Sequence, residues 1–113
     1  MTDVVLLDNF KHDAKRLLKK YRSLRDELEQ FIENTENEGA QGTPLGGGLF
    51  KARLAVRSKG KGKSGGMRII SYQDIIISTK NDTVYLVAMY DKSEASTLDT
   101  RYINQILKKF GAK

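Results

Sequence analysis

The stretch that decides the fold is KARLAVRSKGKGKSGGMRIISY, residues 51–72. Its two ends are rich in apolar and β-branched residues, whereas residues 58–66 in its middle hold four glycines, three lysines and two serines. Such a middle is typical of a solvated loop that joins two strands. The stretch therefore predicts a β-hairpin, on which the rest of the chain is expected to pack.

The charge of this stretch is entirely positive. Residues 51–72 contain seven basic residues and no acidic residue, whereas residues 1–50 contain seven basic and nine acidic residues. The formal net charge of +6 is therefore concentrated in the hairpin. A local excess of this kind favours a binding surface for a polyanion. An ordinary solvated strand face is the simpler alternative.

Alternation along residues 50–57 separates apolar from basic side chains, because successive side chains of a strand point to opposite faces. One face is expected to carry the apolar residues Phe50, Ala52, Leu54 and Val56. The other face is expected to carry the basic residues Lys51, Arg53 and Arg57. The hairpin would then pack on one side and present cations on the other.

Helical periodicity dominates the part of the chain before the hairpin. Apolar residues recur at helical spacing over residues 10–21 and again over residues 24–32. Asp8 or Asn9 is the expected N-cap of the first helix, and Ser23 opens the second. The two patterns predict a helical hairpin, and a short run before it, residues 4–7, is an expected edge strand.

A third long strand is predicted at residues 84–90, where both faces are mainly apolar, as in a central strand that is covered on each side or in a sheet with one shallow concave face. Regular alternation places Tyr90 on the same face as Val84 and Asp91 on the opposite face. Residues 38–48 contain five glycines and the only proline, so we interpret them as a connector without an element of its own.

The last helix is predicted near the C-terminus, with Ser96 or Thr97 as its cap and a buried stripe that includes Tyr102 and Phe110. Together the patterns predict an α+β fold. Its N-terminal helical hairpin packs on a small antiparallel sheet of three or four strands, and a C-terminal helix closes it. The length fits a single domain over residues 1–113.

Composition excludes several kinds of site. The chain has no cysteine, which excludes a disulfide framework and a thiolate metal site, and His12 is its single histidine. We therefore expect no metal and no cofactor. The N-terminal run lacks the basic start and long apolar body of a signal peptide, and no window approaches the roughly twenty apolar residues of a membrane span. A cytoplasmic protein without membrane contact is expected.

Three motifs, between a helical hairpin and a final helix, resemble a known family. They are GTPLGGGLFKARL, SKGKGKSGGMRIISY and VYLVAMYDKSE. From about residue 10 onward the chain is similar to the RelE/HigB-type toxins of bacterial type II toxin–antitoxin modules. The resemblance implies a compact fold like that of the microbial ribonucleases. It also implies a metal-independent endoribonuclease, or mRNA interferase, that cuts mRNA on the ribosome, inhibits translation and is held inactive by a cognate antitoxin.

The resemblance further implies a cleft lined by basic residues of the central strands. At the matching positions the candidate catalytic residues are Lys51, Arg53, Arg68, Tyr90 and Lys92. The candidate RNA-binding residues are Arg57, Lys59, Lys61, Lys63 and Asp91. Arginine suits stabilisation of the phosphorane because it stays charged and forks onto two phosphate oxygens. Lysine and tyrosine are candidates for proton transfer.

Two other functions stay open from the sequence. A ParE-like toxin of related fold would bind and inhibit DNA gyrase, and a simple RNA-binding module would bind without cleaving. Affinity for RNA with a steep salt dependence is expected of both nucleic-acid functions, so binding alone does not separate them. The dense lysine loop and the Tyr90–Asp91–Lys92 segment favour RNA over gyrase.

Overall fold

The structure is a computed structural model, and it describes residues 2–59, 66–74, 83–94 and 99–111. Outside the described residues lie the predicted loop lysines Lys61 and Lys63 and the predicted helix caps Ser96 and Thr97. The elements in chain order are β1 (Asp3–Leu6), α1 (Asp8–Lys20), α2 (Leu24–Glu38), β2 (Thr43–Gly46), β3 (Leu49–Leu54), β4 (Met67–Asp74), β5 (Thr83–Asp91) and α3 (Thr100–Phe110).

The described strands form one mixed sheet in the order β1-β5-β4-β3-β2. The predicted hairpin is present as the antiparallel pair β3 and β4, and β5 lies antiparallel to β4 in the centre. β1 lies parallel to β5 at one edge, which confirms the predicted edge strand. The predicted α+β fold is confirmed, but the sheet is larger than the expected three or four antiparallel strands, because the described residues form five strands and β1 pairs parallel with β5.

The fifth strand, β2, lies within residues 38–48, which were wrongly interpreted as a connector. It pairs antiparallel with β3 through Thr43 and Pro44 and changes register before Gly46. Proline is tolerated here because β2 is an edge strand, where one side of the backbone needs no partner within the sheet. Glycine-rich composition therefore hid a short strand that protects part of the edge of β3.

The two faces of the sheet are covered by different helices. On one face α1 and α2 bury an apolar stripe against β3, β4 and β5, and Phe10, Leu17 and Leu24 are fully buried there. On the other face α3 packs on β5 through Ile103 and Leu107. The predicted helical hairpin and C-terminal helix are confirmed, and the central strand is covered on both sides as expected.

The helix termini differ in detail from the prediction. α1 begins at Asp8 and has Leu7 at its N-cap, so neither Asp8 nor Asn9 caps it. Asp8 lies instead in the first turn, where its charge interacts favourably with the helix dipole. The N-cap of α3 is Asp99, whose carboxylate accepts a hydrogen bond from the backbone N–H of Arg101 at 2.8 Å.

The buried stripe of α3 is narrower than predicted. Ile103 and Leu107 are buried, but Tyr102 is 44% exposed and Phe110 is 51% exposed. Ile103 and Leu107 lie in the face of α3 that packs on β5, whereas Tyr102 and Phe110 stay partly open to solvent. The prediction that Tyr102 and Phe110 belong to the buried stripe was therefore wrong.

An extra residue in β5 places the residues after it on the face of the sheet opposite to the predicted one. Ser71 of β4 pairs with Leu86, whereas the preceding Ile70 pairs with Ala88, so Val87 has no partner in β4. Such a β-bulge turns the residues that follow it to the opposite face. Tyr90 consequently lies with Val87 and Ala88 on the α3 side of the sheet, and not with Val84 as predicted.

Gly42, just before β2, and Gly46, its last residue, provide a matched test of this edge. Gly42 and Gly46 both have positive φ, 95° and 94°, which costs an alanine about 1–2 kcal/mol. A Cβ at Gly42 would also lie 2.6 Å from Cα of Ala52 and clash with the carbonyl of Lys51, whereas a Cβ at Gly46 would meet no atom within 4 Å. We expect Gly42→Ala to lower the free energy of unfolding by about 1–3 kcal/mol more than Gly46→Ala. Urea unfolding of both variants measures the difference, and equal losses would contradict the close approach of residue 42 to β3.

Candidate nucleic-acid interface

The strand register brings three candidate catalytic residues into one row across the sheet. Arg53 of β3 lies opposite Arg68 of β4, and Arg68 lies opposite Tyr90 of β5. Directly opposed residues of antiparallel strands project from the same face and have Cα atoms about 5 Å apart. Lys51 projects from the same face two residues earlier on β3. The row therefore gathers cations and a phenol on the α3 side of the sheet.

The members of this row differ in accessibility. Arg53 is exposed and Lys51 is half-buried. Arg68 is only 3% exposed, and its Nη1 donates a hydrogen bond to the carbonyl of Met67 at 3.2 Å. Tyr90 is 5% exposed. Arg53 and Lys51 are thus the members placed for direct contact with a ligand, whereas Arg68 contributes its charge from beneath the surface.

The opposition of Arg53 and Arg68 is unfavourable for the sheet itself. Like charges directly opposite each other on two strands destabilise the pairing. A site that concentrates like charges in this way is a candidate functional site, because stability alone would favour a neutral or oppositely charged partner. The cross-strand pair is therefore a candidate part of a functional site.

An open groove adjoins the accessible end of this row. It lies between β3 and α2, has a volume of about 760 Å³, and is bordered by both Lys51 and Arg53. Its α2 wall carries the polar side chains of Gln30 and Asn34. Glu27 and Phe31 also line it, so the groove is mixed in character and is not itself a cationic surface.

Lys92 is exposed in the turn that follows β5. Its backbone N–H donates to the carbonyl of Gly66 at 3.1 Å, which joins the end of β5 to the start of β4. This bond holds Lys92 near the end of the row that contains Arg68 and Tyr90. The predicted RNA-binding residues Lys61 and Lys63 lie outside the described residues.

Asp91 faces the opposite side of the sheet from Tyr90 and is fully buried. Its carboxylate accepts hydrogen bonds from the ammonium of Lys59, from the hydroxyl of Tyr21 at 2.5 Å, and from the backbone and hydroxyl of Ser93 at 2.9 and 2.8 Å. The side chain of Lys59 is 5% exposed. Contact with RNA, predicted for Lys59 and Asp91, does not fit this geometry, because each is buried against the other.

The hydrogen bonds around Asp91 shift the pKa of both Asp91 and Tyr21. Burial on its own would raise the pKa of Asp91, but the hydrogen bonds from Lys59, Tyr21 and Ser93 outweigh it and hold the pKa well below its usual range. The hydrogen bond to Asp91 is the main cause that raises the pKa of Tyr21 to about 12. Tyr21 therefore stays protonated and keeps donating to the carboxylate.

The 3-10 turn Arg57–Lys59, which follows β3, is fastened to α2 as well as to Asp91. The backbone N–H of Arg57 donates to Glu27 at 2.8 Å, and its guanidinium lies 3.5 Å from the same carboxylate. The Arg57 side chain is still 74% exposed, so it remains able to contact RNA. Ser58 donates its backbone N–H to Ser23 at 3.0 Å. These contacts fix the chain at the entrance to the basic loop.

The sequence did not reveal that residues in α1, and Tyr21 just after it, support the site. Tyr21 was taken only as an apolar stripe residue, and Asn9 and Asp13 were not assigned a role in a site. Their partners Asp91, Val87 and Met89 are 70 or more residues away in the chain. No local spacing indicates such contacts.

Two findings concern metals and membranes. The described residues contain no group of three or more His, Cys, Asp and Glu side chains that could hold a metal ion. In the part of the chain that the structure covers, no helix has both the length and the apolar character needed to cross a bilayer.

These features define a small α+β protein whose sheet presents a cationic row suited to a polyanion. The sequence model of the family described as "RelE toxin of RelE / RelB toxin-antitoxin system" matches residues 9–112. The match covers nearly the whole chain, so the chain belongs to the RelE toxin family. It is accordingly a toxin of a toxin–antitoxin system, and membership implies an antitoxin partner.

The buried pair predicts how stability depends on pH. Because the pKa of Asp91 is lowered on folding, its contribution is fully present above its unfolded pKa of about 3.9 and is lost as the pH falls through the folded value. Asp91→Ala should lose about 3–5 kcal/mol at neutral pH, since it leaves Lys59 buried without its partner. Denaturant unfolding of the variant at pH 7 measures the second effect, and unfolding of the unmodified protein from about pH 5 downward, to below pH 3, follows the first.

The exposed pair of Arg16 and Glu94, whose atoms lie 3.1 Å apart, is the control for this prediction. Glu94→Gln should cost less than about 1 kcal/mol, because exposed ion pairs contribute little. An Asp91→Ala variant as stable as Glu94→Gln at neutral pH would rule out the buried pair as a main support of the fold.

Proposed function

We propose that this toxin is a ribosome-dependent mRNA endonuclease that inhibits translation without a metal or another cofactor. The proposal rests chiefly on the row of Arg53, Arg68 and Tyr90 across three strands, with Lys51 beside it. Membership of the RelE family supports ribonuclease chemistry in general. The ribosome and mRNA would be its working partners in the cytoplasm, and the cognate antitoxin its inhibitor.

The chemistry of RNA cleavage matches the side chains of the row. The 2′-oxygen attacks phosphorus, the bond from phosphorus to the 5′-oxygen breaks, and the products are a cyclic 2′,3′-phosphate and a 5′-hydroxyl. One group must accept the 2′-hydroxyl proton, another must protonate the leaving 5′-oxygen, and a cation must stabilise the phosphorane. Residues of the row and its neighbours can perform all three tasks.

Arg53 is the proposed direct contact of the phosphorane, because it is exposed and its planar guanidinium forks onto two oxygens. Arg68 strengthens the positive potential at the same point while remaining beneath the surface. Lys51 and Lys92, which are accessible, are the proposed carriers of the two protons, and Tyr90 borders them from its buried position opposite Arg68. Arg57 is the proposed contact to the RNA backbone beside the reacting linkage.

Charge-neutral substitutions at the accessible cations test the proposal. Lys51→Gln and Arg53→Gln should each lower mRNA cleavage on programmed ribosomes by about 100-fold or more, as loss of one group that stabilises developing charge does elsewhere. Primer extension on the mRNA measures new 5′ ends. Arg101→Gln is the matched control, since the Arg101 side chain on α3 is 89% exposed and lies outside the row.

The outcomes of this experiment separate the candidate functions. Full cleavage by Lys51→Gln and Arg53→Gln would remove these residues from the mechanism. Absence of cleavage by the unmodified protein, together with inhibition of purified DNA gyrase, would replace the nuclease with the ParE-like function. RNA binding without either activity would leave a binding module.

Arg53→Gln should also stabilise the protein. It removes one of two like charges that oppose each other across β3 and β4, so the free energy of unfolding should rise by about 0.2–1 kcal/mol. Urea unfolding checks this expectation. A loss of stability would mean that Arg53 has a structural role, which would weaken the functional interpretation of the pair.

A further inference from the structure

The bulge in β5 determines which of two adjacent residues faces the proposed site. Before Val87, the side chain of Leu86 lies on the α1 and α2 side of the sheet; after Ala88, Met89 lies on that side again. Tyr90 therefore lies with Arg68 and Arg53. Without the extra residue, regular alternation would turn the side chain of Tyr90 towards α1 and α2. Asp91 would then lie on the α3 side, next to Arg68 and Arg53.

The backbone of this bulge is held by two side chains of α1. The amide of Asn9 donates to the carbonyl of Val87 at 3.0 Å, and the backbone N–H of Met89 donates to the carboxylate of Asp13 at 3.1 Å. The two side chains also lie 3.4 Å apart, from Nδ2 of Asn9 to Oδ2 of Asp13.

These bonds replace the sheet pairing at the place where β1 ends. The register of β1 with β5 stops at Leu86, and the backbone N–H of Leu7 closes that end by donating to the carbonyl of Leu86 at 3.1 Å. Beyond this point Asn9 and Asp13 bind the backbone of β5 on the side that β1 leaves open. Side chains from a rigid helix thus fix the strand at the residue where its faces reverse.

A side chain of α3, the helix on the other side of the sheet, also binds Asn9. The hydroxyl of Tyr102 donates to Oδ1 of Asn9 at 3.2 Å. Asn9 is therefore held in one orientation, with its carbonyl towards α3 and its amide towards Val87. A single amide links both helical layers to the bulge.

Asp13 stays at this position against an energetic cost. Burial is the largest effect on its carboxyl group and raises its pKa, and the hydrogen bond from Met89 opposes that effect only in part. A partly buried carboxylate that costs free energy in the native state is more readily explained by the placement of β5 than by the stability of α1.

We propose that Asn9 and Asp13 are positioning residues of the cleavage site, which fix the Val87 bulge so that Tyr90 faces Arg68 and Arg53. This inference rests on the proposed nuclease function. Neither residue touches RNA, and both act through the backbone of β5. Their removal should impair the chemical step while leaving the accessible cations, and hence RNA affinity, in place.

Four variants test this inference in single-turnover cleavage on programmed ribosomes. Asp13→Ala and Asn9→Ala each remove one bond to the bulge. Asp13→Asn keeps an oxygen that can accept the N–H of Met89. Thr35→Val is the control for stability, because it removes a buried hydrogen bond, 2.9 Å from Thr35 to the carbonyl of Phe31, in α2 and away from β5.

We expect the maximal cleavage rate of Asp13→Ala and Asn9→Ala to fall by about 10- to 100-fold, the range that displacement of a catalytic group by about 1 Å produces. The concentration that gives half-maximal rate should change by less than about threefold, since the cations that bind RNA are unmoved. Asp13→Asn should regain most of the rate, and Thr35→Val should keep it.

A second readout follows the bulge without reference to catalysis. In the unmodified protein the ring of Tyr90 packs in one apolar cluster with Ile103 and Leu107 of α3, so nuclear Overhauser contacts between the ring and their methyl groups are expected. Asp13→Ala should weaken these contacts, and Asp13→Asn and Thr35→Val should retain them.

The results that would overturn the inference differ from those that would overturn the nuclease. If the unmodified protein cleaves and Asp13→Ala cleaves equally fast, Asp13 is not a positioning residue. The same conclusion follows if Thr35→Val loses as much activity as Asp13→Ala, because stability then accounts for the loss. If the unmodified protein does not cleave, the proposed function fails first and the inference fails with it.

Discussion

The single extra residue at position 87 in β5 is the constraint on which the arrangement of the site depends. It sends Tyr90 to the α3 side of the sheet and Asp91 to the interior beneath α1 and α2. One strand end thereby supplies a phenol to the cationic row and a carboxylate to the buried ion pair with Lys59. Both arrangements require the same bulge, so the proposed chemistry and the support of its surroundings are coupled.

The positive charges of the central hairpin are divided between two uses. Lys59 is buried against Asp91 and close to the ring of Tyr21, where it joins the end of β5 to the turn after β3. Arg53 and Arg68 instead oppose each other across two strands, an arrangement that costs stability and raises the local potential for an anion. Lys59 is thus part of the internal support of the fold, whereas the exposed Arg53 is placed to attract a polyanion.

Sequence patterns predicted the features that depend on periodicity. The hairpin of β3 and β4, the two N-terminal helices and the basic face with Lys51 and Arg53 follow from local spacing of apolar and charged residues. The strand β2 was missed because glycine and proline are unfavourable in most strands but tolerated at an edge. The bulge was missed because Val87 and Ala88 are both small and apolar, so alternation does not reveal an extra residue. The burial of Lys59 depends on contacts far apart in the sequence, and a lysine in a glycine-rich stretch resembles any solvated cation.

If mRNA is cut on the α3 side of the sheet, at the row of Arg53, Arg68 and Tyr90, then bound mRNA must lie there. The most direct measurement is a cryo-electron microscopy structure of the protein on a ribosome whose mRNA carries a 2′-methoxy group at the cleavage position. We expect a phosphate within about 3 Å of the Arg53 guanidinium, with the ribose on the Tyr90 side of it. An mRNA strand bound instead against α1 and α2, remote from this row, would contradict it.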